Sequence, residues 1–299
     1  MLKGCFPALV TPMKEDGNRI NHEINFDSFK QLIDRCIENG VDGIVPSGCT
    51  GHAASLTHDE QIIIIGKAIE FAKNRVIIIA GTGSNCTREA IGLAQRAEQL
   101  GIKTHLQISP YQNKPTQEGL YQHYKTIAEA VDGDIIVYNV PGRTGRNVEA
   151  DTVIRLAKDF ENIIAVKEAS GNLEQIKKII EGTKDLKNFS VLSGDDGLTL
   201  EIIKAGGKGA ISVAANVDPK RVSEMVHLAL NGDMAKAEEL HKKLFDLFKK
   251  LFIETNPGPA HYCLRKIGVP VGIPRLPLVD VKEENKKIIY ETLRDLGLI

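Results

Sequence analysis

The feature that most constrains the fold of this chain is the regular alternation of short apolar runs with amphipathic stretches over its first 216 residues. The eight apolar runs cover residues 4–12, 43–48, 75–81, 103–110, 134–140, 162–168, 189–194 and 209–216. Near-continuous apolar runs separated by helical patterns are typical of a parallel sheet covered by helices on both faces. Eight such units predict a (β/α)8 TIM barrel.

The stretches between the apolar runs read as helices. "FDSFKQLIDRCIENG" and "TREAIGLAQRAEQLG" carry apolar residues at helical spacing and end in glycine, which is a C-cap signal. A doubly wound open sheet is the alternative, but it normally has a glycine-rich phosphate turn after its first strand. Here "VTPMKEDG" follows the first run, and "GTGSNC" lacks the third glycine of that motif.

From about residue 218 onward the chain shows only helical patterns. They are "VSEMVHLAL", "MAKAEELHKKLFDLFKKLFI", "GPAHYCLRKIG" and "EENKKIIYETLRDLGLI". These segments exceed what the eighth barrel helix needs. We therefore predict a catalytic barrel over residues 1–224 and a C-terminal helical extension over residues 225–299, packed on the barrel.

The composition argues against two classes of partner. Lysine and arginine number 38 against 39 acidic residues, tryptophan is absent and aromatic residues make up 5%, so nucleic acid is not an expected partner. The longest apolar stretches, "QIIIIGKAI" and "RVIIIAG", are shorter than the ~20 residues that a membrane helix needs. The N-terminus has no signal-peptide pattern, so we expect a cytoplasmic protein without membrane association.

The cysteines and histidines do not form a metal or disulfide pattern. The five cysteines are widely spaced and include no C-x-x-C pair, which argues against a disulfide framework and a structural zinc site. The eight histidines show no H-E-x-x-H spacing, so we predict no catalytic metal.

Near its end, the sixth apolar run contains an unusual residue for a buried strand, Lys167 in "VKEASG". A lysine at a strand end can simply extend its ammonium into water. In a barrel, however, active sites lie at the carboxyl ends of the strands, and desolvation there would lower the lysine pKa. A neutral amine can attack a carbonyl carbon and form a Schiff base. The residues expected around this amine are Cys49, Thr50, Tyr111, Tyr138 and Arg143.

Each of these neighbours has an ordinary structural interpretation beside a functional one. Tyr138 is either a proton carrier next to the imine or a buried tyrosine with a satisfied hydroxyl. Arg143 either clamps a carboxylate or is an exposed loop cation. The "GCTG" turn that contains Thr50 could hold a carboxylate, although many turns look similar. For "GDDG" at 194–197 we predict a helix N-cap rather than a metal-ligand pair.

With these residues in view, the sequence resembles the dihydrodipicolinate synthase / N-acetylneuraminate lyase family of Schiff-base aldolases almost from end to end. The resemblance rests on "FPALVTPMKEDGNRI", "GCTGHAASLTHDE", "AGTGSNCTREAI", "SPYQNKPTQEGLYQHY", "YNVPGRTG", "VKEASGNL", "LSGDDGLTL", "GAISVAANV", "LFIETNPGP" and "PRLPLV". The arginine of "YNVPGRTG" favours the members that condense pyruvate with aspartate semialdehyde in lysine and diaminopimelate biosynthesis. Family members are typically tetramers built from tight dimers.

The resemblance implies roles for individual residues. Lys167 forms the imine with pyruvate, so no separate cofactor is expected, and Tyr138 donates and accepts protons. Thr50 and the backbone near Ile211 hold the pyruvate carboxylate, and Arg143 holds the carboxylate of the semialdehyde. The full predicted substrate-binding set is Thr50, Arg143, Gly194 and Ile211. A possible site for a lysine effector comprises His58, Asn85, Glu89 and Tyr111.

The sequence departs from the family motifs at several positions. In "GTTGE" the first threonine is Cys49 and the glutamate is His52, and in "PYYN" the second tyrosine is Gln112. "NPGPAHY" stands where the family has "NPIPVK". We predict that Cys49 and Gln112 take the relay positions of the missing hydroxyls as catalytic residues. These departures leave two alternatives open: another pyruvate lyase that acts on a 2-keto-3-deoxy sugar acid or a sialic acid, and a homologue that binds a metabolite without catalysis.

Overall fold

A computed structural model describes residues 1–15, 17, 20 and 22–299. The strands are β1 Gly4–Pro7, β2 Gly43–Ile44, β3 Ile77–Ile78, β4 Ala80–Gly81, β5 Thr104–Ile108, β6 Asp134–Asn139, β7 Ile163–Glu168, β8 Ser190–Ser193 and β9 Gly209–Ser212. Each of the eight predicted runs contains a strand. The run at 75–81 contains two, because β3 pairs with β2 whereas β4 pairs with β5.

Helices separate most of the strands and form the C-terminal part of the chain. The α-helices are α1 Phe26–Glu38, α2 His58–Ala72, α3 Thr87–Gln99, α4 Gln117–Ala130, α5 Pro141–Thr144, α6 Ala150–Asp159, α7 Leu173–Thr183, α8 Thr199–Lys204, α9 Pro219–Leu230, α10 Met234–Lys250, α11 Gly258–Lys266 and α12 Glu283–Asp295. Short 3-10 helices cover Ala53–Ser55, Asp196–Leu198 and Ala214–Asn216.

Local sequence signals account for where these helices begin and end. Thr57 and Glu60 form a reciprocal capping box at the start of α2. Gly40 and Gly101 follow α1 and α3 with φ of +84° and +97°, a conformation that glycine adopts without steric cost. The predicted helix ends at these two glycines are confirmed.

The chain folds as two compact units, residues 1–4 with 78–211 and residues 5–77 with 212–299, here called unit 1 and unit 2. In unit 1 the strands from β4 to β9 lie in sequence order, and each pairs in parallel with the next. One face of the central strands packs against α3, α4, α6 and α7. The buried residues of this core include Leu120, Tyr124, Ile127, Val137, Val153, Val166 and Ile176.

Unit 2 has its own apolar core and a set of long-range polar contacts. Phe29 of α1 and Phe71 of α2 meet edge to face, with ring centroids 6.4 Å apart. The buried guanidinium of Arg275 donates to Glu60 at 2.7 Å and to the carbonyl oxygen of His22 at 2.6 Å. This clamp fastens the segment before α12 to the start of α2.

The C-terminal helical patterns are confirmed as parts of α9, α10, α11 and α12. Helix α9 runs through residue 224, and the division of the chain into parts 1–224 and 225–299 stays a prediction. Among the described residues, no helix is both long enough and apolar enough to cross a membrane.

Candidate active site

Lys167 and Tyr138 lie side by side at the carboxyl ends of β7 and β6. Their Cα atoms are partners in the register of these two strands. The Nζ atom of Lys167 is 4.2 Å from the centroid of the Tyr138 ring, and the two residues are only 4% and 6% exposed. Because paired residues of adjacent strands point to the same face, the amine and the phenol share one face of the sheet. The predicted proximity of these two residues is thus present in unit 1.

Gly194 follows β8 and makes room for the Lys167 side chain. Its N–H donates to the carbonyl oxygen of Glu168 at 2.7 Å. A Cβ atom at this position would lie 2.9 Å from Cε and 3.1 Å from Cγ of Lys167, and 2.7 Å from Cβ of Ala169. Real Cβ contacts at such distances are very rare, so any larger residue at position 194 would displace the Lys167 side chain.

The adjacent "GDDG" segment is a cap, as predicted. Asp195 accepts a hydrogen bond from the backbone N–H of Gly197 at 2.9 Å and forms the N-cap of the 3-10 helix Asp196–Leu198. In β9, Ile211 is buried at 1% exposure. Among the described residues, no group of three or more His, Cys, Asp or Glu side chains could hold a metal ion.

Arg143 lies on α5, a single helical turn that starts at Pro141, directly after β6. It is exposed. Gly145 ends this turn with φ of +69°, and Arg146 then donates to the carbonyl oxygen of Lys114 at 3.1 Å. The turn that carries Arg143 is therefore attached to the loop that follows β5.

The loop after β5 contains Gln112 and Tyr111. Gln112 is exposed and has φ of +69°, an uncommon conformation for a residue with a side chain.

The Asn85 side chain donates to the carbonyl oxygen of Tyr111 at 3.2 Å, and the Asn113 side chain donates to the carbonyl oxygen of Asn85 at 2.8 Å. Glu89 accepts from Ser84 at 2.8 Å. Three of the four predicted effector residues thus lie in one region of unit 1, while His58 begins α2 in unit 2.

In unit 2, Cys49 and Thr50 form part of a tight turn after β2. Thr50 is 3% exposed, and its hydroxyl oxygen accepts from the Asn256 side chain at 2.9 Å. Cys49 is partly exposed. The carbonyl oxygen of Gly51 accepts from the Thr11 hydroxyl at 2.6 Å. The turn leads into the 3-10 helix Ala53–Ser55, so it does not form the N-terminus of α2.

His52, directly after this turn, contacts a second buried histidine that sequence reasoning missed. Its Nε2 lies 2.9 Å from Nε2 of His261, and Nδ1 of His261 lies 3.0 Å from the carbonyl oxygen of Gly272. A carbonyl only accepts, so His261 carries its proton on Nδ1, and His52 Nε2–H donates to His261. One signal in the sequence pointed to this contact: His52 and His261 both stand at positions where the chain departs from the family motifs.

Electrostatics keeps this histidine pair neutral. Burial, the nearby His261 and the positive charge of Arg275 hold the pKa of His52 well below its usual value. Burial lowers the pKa of His261 to about 4. Nδ1 of His52 has no hydrogen-bond partner among the described residues, so an added N–H group at this atom would have no acceptor.

A second feature that sequence reasoning missed is a buried carboxylate next to Lys167. Glu168 is 0% exposed and accepts from Asn139 Nδ2 at 3.0 and 3.1 Å. It also accepts from the Ser170 backbone N–H at 2.8 Å and from Gln175 Nε2 at 3.1 Å. We call these residues, together with Asn147, the Glu168 network. Its sequence signal was the charged pair Lys167-Glu168 at the end of an apolar run.

The parallel sheet, whose strands alternate with helices and are followed by C-terminal helices, matches a TIM-barrel-like fold, and the (β/α)8 barrel prediction is confirmed. The chain belongs to the dihydrodipicolinate synthetase family, whose sequence profile matches residues 1–296.

Individual relatives match over the full length of the chain. The 4-hydroxy-tetrahydrodipicolinate synthase of Methanocaldococcus jannaschii is 50% identical over 299 residues, which cover 100% of both proteins. A crystal structure of a dihydrodipicolinate synthase is 49% identical with a TM-score of 0.95, again over 100% of both chains. The chloride-inhibited Acinetobacter baumannii enzyme, solved in complex with pyruvate, is 41% identical with a TM-score of 0.95 over 100% of both chains.

Proposed function

We propose that this protein is a 4-hydroxy-tetrahydrodipicolinate synthase, which condenses pyruvate with L-aspartate 4-semialdehyde through an imine on Lys167. The observation that carries the proposal is the buried amine of Lys167, held 4.2 Å from the ring of Tyr138 at paired positions of β7 and β6. The full-length identity to named synthases and the pyruvate complex of a relative support the same reaction.

The chemistry begins with attack of the neutral Lys167 amine on the C2 carbonyl carbon of pyruvate. Loss of water leaves an iminium, which accepts electrons when a proton leaves the C3 methyl group. The resulting enamine carbon attacks the aldehyde carbon of the semialdehyde. The amino group of that substrate then replaces Lys167 on the imine carbon, which closes the ring and releases the enzyme.

Tyr138 is the proposed proton donor and acceptor, because its hydroxyl-bearing ring shares the face of the amine. Thr50, Gly194 and the backbone near Ile211 bind pyruvate in this proposal, and Arg143 binds the carboxylate of the semialdehyde. The exposure of Arg143 supports its role, since a charged group at the surface can meet an incoming anionic substrate.

Cys49 and Gln112 complete the proton relay in our proposal. Both are accessible, and a thiol or an amide-bound water can pass a proton, although a thiol is the weaker hydrogen-bond partner. We expect the Cys49→Thr/Gln112→Tyr variant to keep or raise kcat, and each single change to do less than the pair. Loss of most activity in a folded double variant would favour a sugar-acid lyase instead.

We further propose a cytoplasmic homotetramer. His58, Asn85, Glu89 and Tyr111 would then form an effector site for lysine. The family resemblance implies that Ala53 and Gln61 stand where some regulated relatives have a serine and a histidine, so we expect weak inhibition by lysine or none. Strong inhibition at micromolar lysine would contradict that expectation.

The decisive experiment is reduction with borohydride in the presence of pyruvate. We expect one three-carbon adduct on the protein, located at Lys167 by peptide mapping, and none in Lys167→Arg. Lys177→Arg, which changes an exposed lysine of α7, is the matched control and should react like the wild type. An absence of adduct in the folded wild type would refute the imine.

Turnover of a substrate panel then identifies the second substrate. The panel contains pyruvate with aspartate semialdehyde, 2-keto-3-deoxygluconate and N-acetylneuraminate. Condensation with the semialdehyde supports the synthase, whereas cleavage of either sugar acid would assign the chain to the lyases.

A further inference from the structure

The Glu168 network ties the ends of β6 and β7 together on the face opposite Lys167 and Tyr138. Asn139 and Glu168 are Cα partners in the strand register, one residue beyond the Tyr138–Lys167 pair. Since side chains alternate along a strand, they point to the helix-covered side, where Val137 and Val166 belong to the core.

The donor and acceptor roles in this network are determined by backbone groups. The Val148 backbone N–H, which can only donate, contacts Asn139 Oδ1 at 2.9 Å. Asn139 must therefore present its NH2 group to Glu168. The Ser170 backbone N–H also donates to Glu168. Every hydrogen bond described for Glu168 thus comes from a neutral donor, which is the environment that an ionised carboxylate requires.

A buried carboxylate is costly unless an opposite charge lies nearby. The residue before Glu168 is Lys167, which is also buried, and neutral donors alone do not supply a positive charge. When Lys167 is an ammonium or an iminium, the two adjacent side chains carry opposite charges across the thickness of one strand.

We propose that Glu168 is a positioning residue for the Lys167 amine: it holds the end of β7 against β6 and supplies the negative charge that stabilises the cationic forms of the Lys167 nitrogen. This inference rests on the imine chemistry of the proposed function. It adds a residue that does not contact the substrate but acts through Lys167.

The test compares Glu168→Gln, which keeps the size but removes the charge, with Glu168→Asp, which keeps the charge but shortens the reach. Glu174→Gln is the control for loss of one carboxylate, because Glu174 lies on α7 with its side chain 84% exposed. Two readouts are followed against pH: borohydride trapping of pyruvate, and acetylation of Lys167 by acetic anhydride quantified by mass spectrometry.

For Glu168→Gln we expect the acid limb of both profiles to move to lower pH by about half a unit to one unit, since removal of a nearby negative charge destabilises the ammonium. The same loss should lower kcat by about threefold to tenfold. Glu168→Asp should keep the acid limb and lose activity only because the strand ends are less well held. Glu174→Gln should match the wild type in all three measurements.

A shift in melting temperature without any change in the two pH profiles or in kcat would make Glu168 a purely structural residue and overturn the proposal. If Glu168→Gln does not fold, Glu168→Asp decides, because an unchanged kcat/KM in that variant would also overturn it. Failure of pyruvate trapping in the wild type would instead refute the proposed function. The acetylation profile would still report whether Glu168 acts on the Lys167 amine.

Discussion

The Glu168 network and the His52–His261 pair both bury ionisable side chains, but they do so in opposite ways. The Glu168 network surrounds a carboxylate with Asn139, Gln175 and the Ser170 backbone N–H, all of which donate to it. The His52–His261 pair instead places one imidazole against another, with a bare Nδ1 on His52. The first site is arranged to hold a charge and the second to exclude one.

The difference lies in the number of available donors rather than in depth, because Glu168 and His261 are both fully buried. A buried carboxylate is tolerated where hydrogen-bond donors point at it and an opposite charge lies nearby, whereas a buried imidazole without such partners stays neutral. In the proposed mechanism the Lys167 nitrogen becomes cationic as an iminium, and this comparison accounts for its position next to the first site.

The largest expected effect concerns Tyr138, on the face of the sheet opposite the Glu168 network. We expect Tyr138→Phe to lower kcat by roughly 10²–10⁴-fold, the usual contribution of a positioned acid or base. Steady-state kinetics at saturating pyruvate and semialdehyde would measure it, with circular dichroism to verify folding. A kcat within a factor of a few of the wild type would remove Tyr138 from the mechanism.

The next effect tests the claim that the histidine pair excludes a lone charge. His261→Lys introduces an ammonium against the Nε2–H donor of His52, with the positive charge of Arg265 nearby, and should reduce the free energy of unfolding by about 3–5 kcal/mol. Adding His52→Glu supplies the missing counter-charge and should recover at least half of the loss. Urea unfolding of the wild type, both single variants and the double variant gives the coupling free energy between positions 52 and 261.

These substitutions restore the residues of the family motifs, glutamate in "GTTGE" and lysine in "NPIPVK". If the double variant were no more stable than His261→Lys, the two sites would not be coupled as the 2.9 Å contact indicates.

A smaller effect is a loss of stability in mild acid. Burial lowers the pKa of His261 and of His123 to about 4, and that of His52 well below its usual value. A histidine with a lowered pKa binds its proton more readily in the unfolded chain. Its contribution to stability is therefore complete above the unfolded pKa of about 6.5 and is lost as the pH falls toward 4.

Urea unfolding at several pH values should show a loss of up to about 3 kcal/mol for each fully buried histidine by pH 4. In the His52→Glu/His261→Lys variant this slope should be smaller between about pH 6.5 and pH 5. An equal slope in both proteins would mean that the pair does not exclude protons.

The smallest effect contrasts an exposed carboxylate with the buried Glu168. Glu174 pairs with Lys177 at 2.9 Å on the surface of α7. We expect Glu174→Gln to change the free energy of unfolding by less than about 1 kcal/mol, because exposed ion pairs are weak and screened by salt. A larger change would show that burial is not what separates the two carboxylates.

Much of the fold could be predicted because its signals are local. Apolar runs of strand length, helical periodicity and C-cap glycines such as Gly40 depend on a few neighbouring residues, and they place the strands and helices correctly. The division of the third run into β3 and β4 was not predicted, because strand pairing is a long-range property that local composition does not encode.

In the candidate site too, some features follow from the local sequence and others depend on long-range contacts. The sequence by itself determined that Lys167 ends a buried strand and that Tyr138 ends the preceding one, and in a parallel sheet these positions become neighbours. Only the tertiary structure decided that Gly194 leaves space for the Lys167 side chain. The hydrogen bonds from Asn139 and Gln175 to Glu168 were likewise visible only in the folded structure. The same holds for the contact between His52 and His261. Those contacts join residues whose side chains are brought together by packing rather than by any local pattern. A histidine 209 residues away in the chain becomes a hydrogen-bond partner only when the whole unit has folded.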